Sequence, residues 1–212
     1  MKKYLSEFLG TYIMVFCGTG AIVINDLFGS VGHIGIGLTF GFIVAAMIYS
    51  FAQVSGAHIN PAVSIAFYFS KQLTIKPLFL YIIFQSIGAV LASISLKQMF
   101  PNHELLGSTI PSVSWKTAFA MEFILTFILM LVIFMMASSK KNKPFLGIVV
   151  GLVVGLEAIF AGPITGASMN PARSFGPALV SQHFDFLWIY LFATTLGAIS
   201  SFYVYRYFKD AS

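Results

Sequence analysis

The sequence is poor in charge. Asp, Glu, Lys and Arg together make up 9% of its 212 residues, against about 25% in soluble domains. So few charges cannot cover a water-facing surface, which excludes a soluble globular protein. Cysteine occurs once, at Cys17, which excludes an intrachain disulfide and a thiolate metal cluster. Cys17 stands in an apolar run and reads as packing. There is no Ser/His/Asp, Cys/His or metal-ligand constellation, and no glycine-rich phosphate loop after a strand. An enzyme is therefore not expected, nor a cofactor or bound metal. The formal charge of +5 does not point to nucleic acid, because the basic residues sit at the ends of apolar runs.

What the chain does have is hydrophobic residues, 58% of the total, with a mean hydropathy of +0.89. A membrane-crossing helix needs about 20 apolar residues. Six runs qualify, roughly 4–24, 34–54, 77–97, 116–137, 145–161 and 186–207. They use most of the chain and predict an all-α membrane protein, one membrane domain over 1–212 with lipid as its surroundings. No small-residue cleavage site follows Lys2 and Lys3, so the first run reads as a retained helix, not a signal peptide. Six spans put both termini on one face. That face collects Lys2, Lys3, Lys71, Lys76, Lys140, Lys141, Lys143, Arg206 and Lys209; the other collects Lys97, Lys116 and Arg173. The excess predicts cytoplasmic termini and a multi-pass protein of the plasma or inner membrane.

The chain also repeats itself. "SGAHINPAVS" at 55–64 matches "TGASMNPARS" at 165–174, an offset of about 110 residues. The same offset places Gly37, Gly41 and Ala45 on Gly147, Gly151 and Gly155. "QSIGA" echoes "TTLGA" further along, and "EFLGT" echoes "EFILT" near the two starts. Repeat 1 covers about 1–100 and repeat 2 about 115–210. Each holds three spans, an odd number, so the second enters the membrane from the opposite face. Asn60 and Asn170 suit N-caps, and Pro61 and Pro171 suit first helical positions. The helices they begin, at about 60–70 and 170–180, are too short to cross. About ten residues rise roughly 15 Å, half of the hydrocarbon core. Two such half-helices entering from opposite faces would meet at the midplane, with "SGAHI" and "TGASM" as extended approaches. The six small residues predict close helix crossing.

The two boxes Asn60-Pro61-Ala62 and Asn170-Pro171-Ala172, with Arg173 after the second, resemble those of the aquaporin (major intrinsic protein) family. The resemblance covers essentially the whole chain. "GAHINPAVSIAF", "AGPITGASMNPARS" and "LWIYLFATTLGA" are similar to the nodulin-like intrinsic proteins of plants and their bacterial relatives. The resemblance implies an aquaporin-like fold, a homotetramer with one pore per subunit, and a selectivity filter of Phe40, Ala158, Ala167 and Arg173. Strict water channels of the family commonly carry His where Ala158 stands. Glycerol channels commonly carry Trp at Phe40 and Asp after the filter arginine, where this chain has Ser174.

The expected function is a passive channel for water and small uncharged solutes, such as glycerol or boric, arsenous or silicic acid, that excludes ions and protons. Each Asn is expected to cap its half-helix through oxygen and turn its NH2 to the pore. Arg173 would donate to solute oxygens and repel cations. Glu7 and Glu122, repeat mates within spans, need partners and are expected to accept hydrogen bonds from the re-entrant backbone. Glu157 is expected to brace the second loop or to sit near Arg173. His58 reads as a hydrogen-bonded residue holding the first loop, with a cytoplasmic-side pore lining or a pH-sensitive gate as the alternative. The alternatives are a strict water channel, a coupled secondary transporter and a structural membrane protein. Coupling would need carboxylates at the helix breaks, which offer only Asn, Ser, Thr and carbonyls.

Overall fold

A computed structural model describes residues 1–210, which hold helices and no strand. Helices α1 (Lys2–Phe28), α2 (Gly32–Ser55), α4 (Ile75–Met99), α5 (Trp115–Ser138), α6 (Leu146–Thr165) and α8 (Leu187–Asp210) are the long ones. Between them lie the short α3 (Pro61–Phe69) and α7 (Pro171–Ser181), and a 3-10 turn at Lys143–Phe145 precedes α6. The long helices are apolar enough to cross a membrane. They carry large exposed hydrophobics on their outer faces, among them Leu5, Phe42, Phe79, Ile128, Leu156 and Phe192. This is a multi-pass membrane protein.

Local chemistry sets the helix ends. α1, α2 and α6 stop at Gly29, Gly56 and Gly166, each in the left-handed conformation that glycine adopts without a Cβ penalty. α5 starts where the Ser114 side chain accepts from Thr117 N–H. The expected spans were a few residues short; α6, for one, was expected to end at 161. It runs on through Pro163 to Thr165. A proline in a last turn leaves the carbonyl four residues back without its helical donor. That carbonyl belongs to Ile159, and His33 Nε2 bonds it from the start of α2.

The halves interlock. α1 packs on α4, and α5 on α8. Gly88 and Gly197 sit at equivalent places in these pairs, so close that a Cβ would strike the carbonyls of Phe8 and Phe123. α2 and α6 cross through their small residues: a Cβ on Gly151 would lie 2.5 Å from Gly41 O and 2.8 Å from Ala45 Cβ. Each short helix packs mainly on the other half, α3 on α8 and α7 on α4.

A side chain at the α2–α6 crossing cannot be accommodated without separating the helices. Gly151→Leu is expected to destabilise the protein by about 1–3 kcal/mol or more through overpacking, read as a lower thermal midpoint in detergent. Gly20→Ala is the control. Its methyl would meet only Leu96 Cδ2, at 3.4 Å, and it is expected to hold or raise the midpoint, since Ala favours helix over Gly by about 1 kcal/mol.

Candidate functional site

The site is built where two non-helical segments, 56–60 and 166–170, come together inside the helices. Both use the same backbone pattern. Ala57 and Ile59 have φ of 49° and 44°, and Ala167 and Met169 have 41° and 53°. Left-handed L-residues are costly, about 1–2 kcal/mol each, and persist where surroundings hold them. Two buried carboxylates do so here. Glu7 Oε1 accepts from His58 N–H at 2.9 Å and Ser55 Oγ at 2.6 Å, and its Oε2 accepts from Ile59 N–H at 2.7 Å. Glu122 Oε1 accepts from Ser168 N–H at 2.9 Å and Thr165 Oγ1 at 2.7 Å, and its Oε2 accepts from Met169 N–H at 3.0 Å.

Asn60 and Asn170 close the arrangement. The Oδ1 of Asn60 accepts from Ala62 N–H at 2.9 Å, and that of Asn170 from Ala172 N–H at 3.0 Å. Each amide nitrogen then reaches across: Asn60 Nδ2 donates to Met169 O at 2.8 Å, and Asn170 Nδ2 to Ile59 O at 2.9 Å. The short helices therefore meet N-terminus to N-terminus. This corrects the expectation that the whole NH2 faces a pore. One hydrogen of each amide is committed to the opposite loop, and one remains.

A cavity of about 470 Å³ passes this junction. Gln72, Tyr81 and Lys143 line it on the side of the termini, and both asparagines line its middle. Phe40, Ala158, Ala167 and Arg173 line its other end. Pro61, Ala62, Pro171 and Ala172 are buried but do not form its wall. Arg173 is 2% exposed although it carries a full charge. Its Nη1 donates to Gly107 O at 2.7 Å, and its guanidinium carbon lies 5.2 Å from the Phe40 ring centre.

His58 also lines the cavity. Its Nδ1 is 3.0 Å from Ser64 Oγ, and its ring stacks on Phe67 at 4.6 Å. Glu157 departs from expectation. It is buried, yet neither oxygen has a hydrogen-bond partner among the described residues. The second loop, which it was expected to brace, has its Ser168 N–H and Met169 N–H already taken by Glu122.

Other residues that shape the site carry no motif. Tyr81 OH donates to Ser55 O at 2.7 Å, and Tyr190 OH to Thr165 O at 2.6 Å. These bonds tie down the last residues of α2 and α6. The Tyr pair was findable: extending the "QSIGA"/"TTLGA" match back by four residues reaches both. Gln85 Nε2 adds a bond to Glu7 Oε2 at 2.8 Å. The α4–α5 loop gave no such signal, because it has no counterpart in the repeat. It contributes Gly107 to Arg173, Thr109 to Ser174 at 2.9 Å and Ser112 N–H to Ile164 O at 2.9 Å.

The family described as Major intrinsic protein matches residues 1–205. Aquaporin NIP3-1 of Arabidopsis thaliana is 43% identical, over 97% of this chain and 67% of that protein. Nodulin-26 of Glycine max is 38% identical, over 97% of this chain and 77% of that protein. Among solved structures, the aquaglyceroporin from Plasmodium falciparum superposes with a TM-score of 0.86 at 27% identity, covering 96% of this chain and 94% of that one. With a family match over nearly its whole length, and with two half-helices capped head to head beside a lined cavity, the chain belongs to the major intrinsic protein (aquaporin) family of membrane channels.

Proposed function

We propose that the cavity is a passive pore for water and for small uncharged solutes that carry several hydroxyls. The observation that carries this is the composition of the end that holds Arg173. Arg173 faces one aromatic wall, Phe40, and two methyl-sized walls, Ala158 and Ala167. A solute such as glycerol or a neutral metalloid hydroxide would offer oxygens to the guanidinium and apolar surface to the ring. In the middle, the remaining N–H of each asparagine amide donates to a passing oxygen. The ends of two helix dipoles and Arg173 make the path positive, which opposes cations and breaks a proton relay. Glu7 and Glu122 hold the loops and do not line the path, whereas His58 both holds its loop and forms part of the wall. The named aquaglyceroporin among similar structures supports a polyol-permeable pore. The family likeness and the excess of Lys and Arg on the terminal face extend the proposal to a homotetramer with cytoplasmic termini in a plasma or inner membrane.

Proteoliposomes shrunk by an osmotic step and followed by stopped-flow light scattering test the proposal. Re-swelling with at least one of glycerol, boric acid or arsenous acid is expected to be faster than in protein-free vesicles. Rapid water flux with exclusion of every such solute would make the protein a strict water channel.

Ala158→His narrows the opening and adds a donor. It is expected to lower solute flux by about tenfold, equivalent to about 1.4 kcal/mol on the barrier, with a smaller fall in water flux. The same vesicles held under a potassium-diffusion potential are expected to show no protein-dependent current or acidification. A proton leak comparable with the water flux would overturn the proposed exclusion.

A further inference from the structure

The carbonyl that holds Arg173 belongs to a turn with an unusual support. Leu106 and Gly107 are consecutive left-handed residues, with φ of 51° and 75°. Gly107 has no room for a side chain: a Cβ there would lie 2.8 Å from Thr19 Cβ of α1. Leu106 is fully buried, and its N–H is bonded by a side chain. Leu106 N–H donates to His103 Nδ1 at 3.0 Å. A backbone N–H can only donate, so Nδ1 is the bare nitrogen of the ring and the proton sits on Nε2. Nε2 in turn faces Asp26 Oδ2, at the end of α1, at 3.3 Å. The imidazole is therefore fixed at both nitrogens, one by a carboxylate and one by the turn that orients Gly107 O.

We infer that His103 is a positioning residue for Arg173, and that its protonation unlatches the Leu106–Gly107 turn and lowers permeation. This rests on the pore proposed above. The chemistry is asymmetric between the two ring nitrogens. Protonation places a hydrogen on Nδ1, which then opposes the Leu106 N–H instead of accepting from it. The Nε2–H still donates to Asp26, and more strongly once the ring is charged, so the ring stays in place. Only the contact to the turn is inverted. The charged and titratable groups around the ring are Asp26 from α1, Lys97 from α4, whose Nζ donates to His103 O at 3.3 Å, and Glu104 beside it in the loop. Arg173 of α7 follows through Gly107. None of these replaces Nδ1 as acceptor: Asp26 is committed to Nε2, Lys97 and Arg173 are donors, and Glu104 is exposed while Leu106 is fully buried. Once Gly107 O moves, Nη1 loses the acceptor that keeps the guanidinium against the wall, and the charge enters the lumen.

Two readouts test this. The first does not depend on transport. Hydrogen exchange of the 100–114 loop, corrected for intrinsic pH dependence, is measured by mass spectrometry from about pH 8 to about pH 5, where histidine side chains change charge. Protection at Leu106 is expected to fall as the pH drops. Protection that is unchanged across this range would overturn the latch. The second readout is solute flux into proteoliposomes over the same range. The unmodified protein is expected to lose about half or more of its flux at the acid end. His103→Asn keeps a neutral acceptor near the Nδ1 position and is expected to retain neutral-pH flux with no acid response. His103→Ala is expected to show the acid phenotype at every pH. An acid response that persists in His103→Asn would assign it to another group and overturn the inference. If protection at Leu106 responds to pH but no solute moves at any pH, the pore proposal fails while the latch stands.

Discussion

A peptide group at the depth of the hydrocarbon has no water to bond, so non-helical backbone there must find its partners within the protein. The rest of this structure depends on that constraint. Glu7 and Glu122 meet it. Each takes a hydroxyl and two successive backbone N–H groups, with Gln85 adding a further bond at Glu7, and so fixes two left-handed residues that would otherwise relax. Hydrogen bonds contribute about 0.5–1.5 kcal/mol each, so together those at each carboxyl group are comparable with the backbone strain they hold. With the loops fixed, the asparagines stand where each can cap its own helix and bond the other loop. The glycine crossings of α1 on α4, α5 on α8 and α2 on α6 then close the helices around a space these loops can fill.

The two ends of the cavity differ, although the halves that enclose it repeat. On the side of the termini the wall is formed by Gln72, Leu73, Tyr81 and Lys143. At the other end the α4–α5 loop is stitched to three helices, through Gly107 and Thr109 to α7, Ser112 to α6, and His103 to α1. Arg173 therefore lies at an end of the cavity where the backbone is tied by a loop that joins the two repeats and has no counterpart in either.

Much of this was legible in the sequence, for physical reasons. Six apolar runs survive as six long helices because hydrocarbon enforces helical satisfaction over their whole length. The Asn-Pro boxes mark helix starts because cap and proline preferences are local. Glu7 and Glu122 stood out because a buried carboxylate must find donors, and the loops supply them. Glu157 satisfied the same argument and failed it. Burial says that a partner is wanted, not which residue takes it, and Glu122 already held the loop donors. The sharing of each Asn amide with the opposite loop was out of reach, since it depends on where two distant segments meet. So was the role of Gly107, His103 and Asp26, whose spacing has neither period nor repeat mate.

The crossed bonds between the two loops also constrain the order in which the chain can be made. Asn60 finds its acceptor at Met169, 109 residues later in the chain, and α3 rests on α8, the last helix. Domains are built from the N-terminus during synthesis. When the first three long helices are already in place, their re-entrant segment has Glu7 but neither Met169 O nor the α8 surface. That segment therefore lacks these native partners until the second half has entered the bilayer.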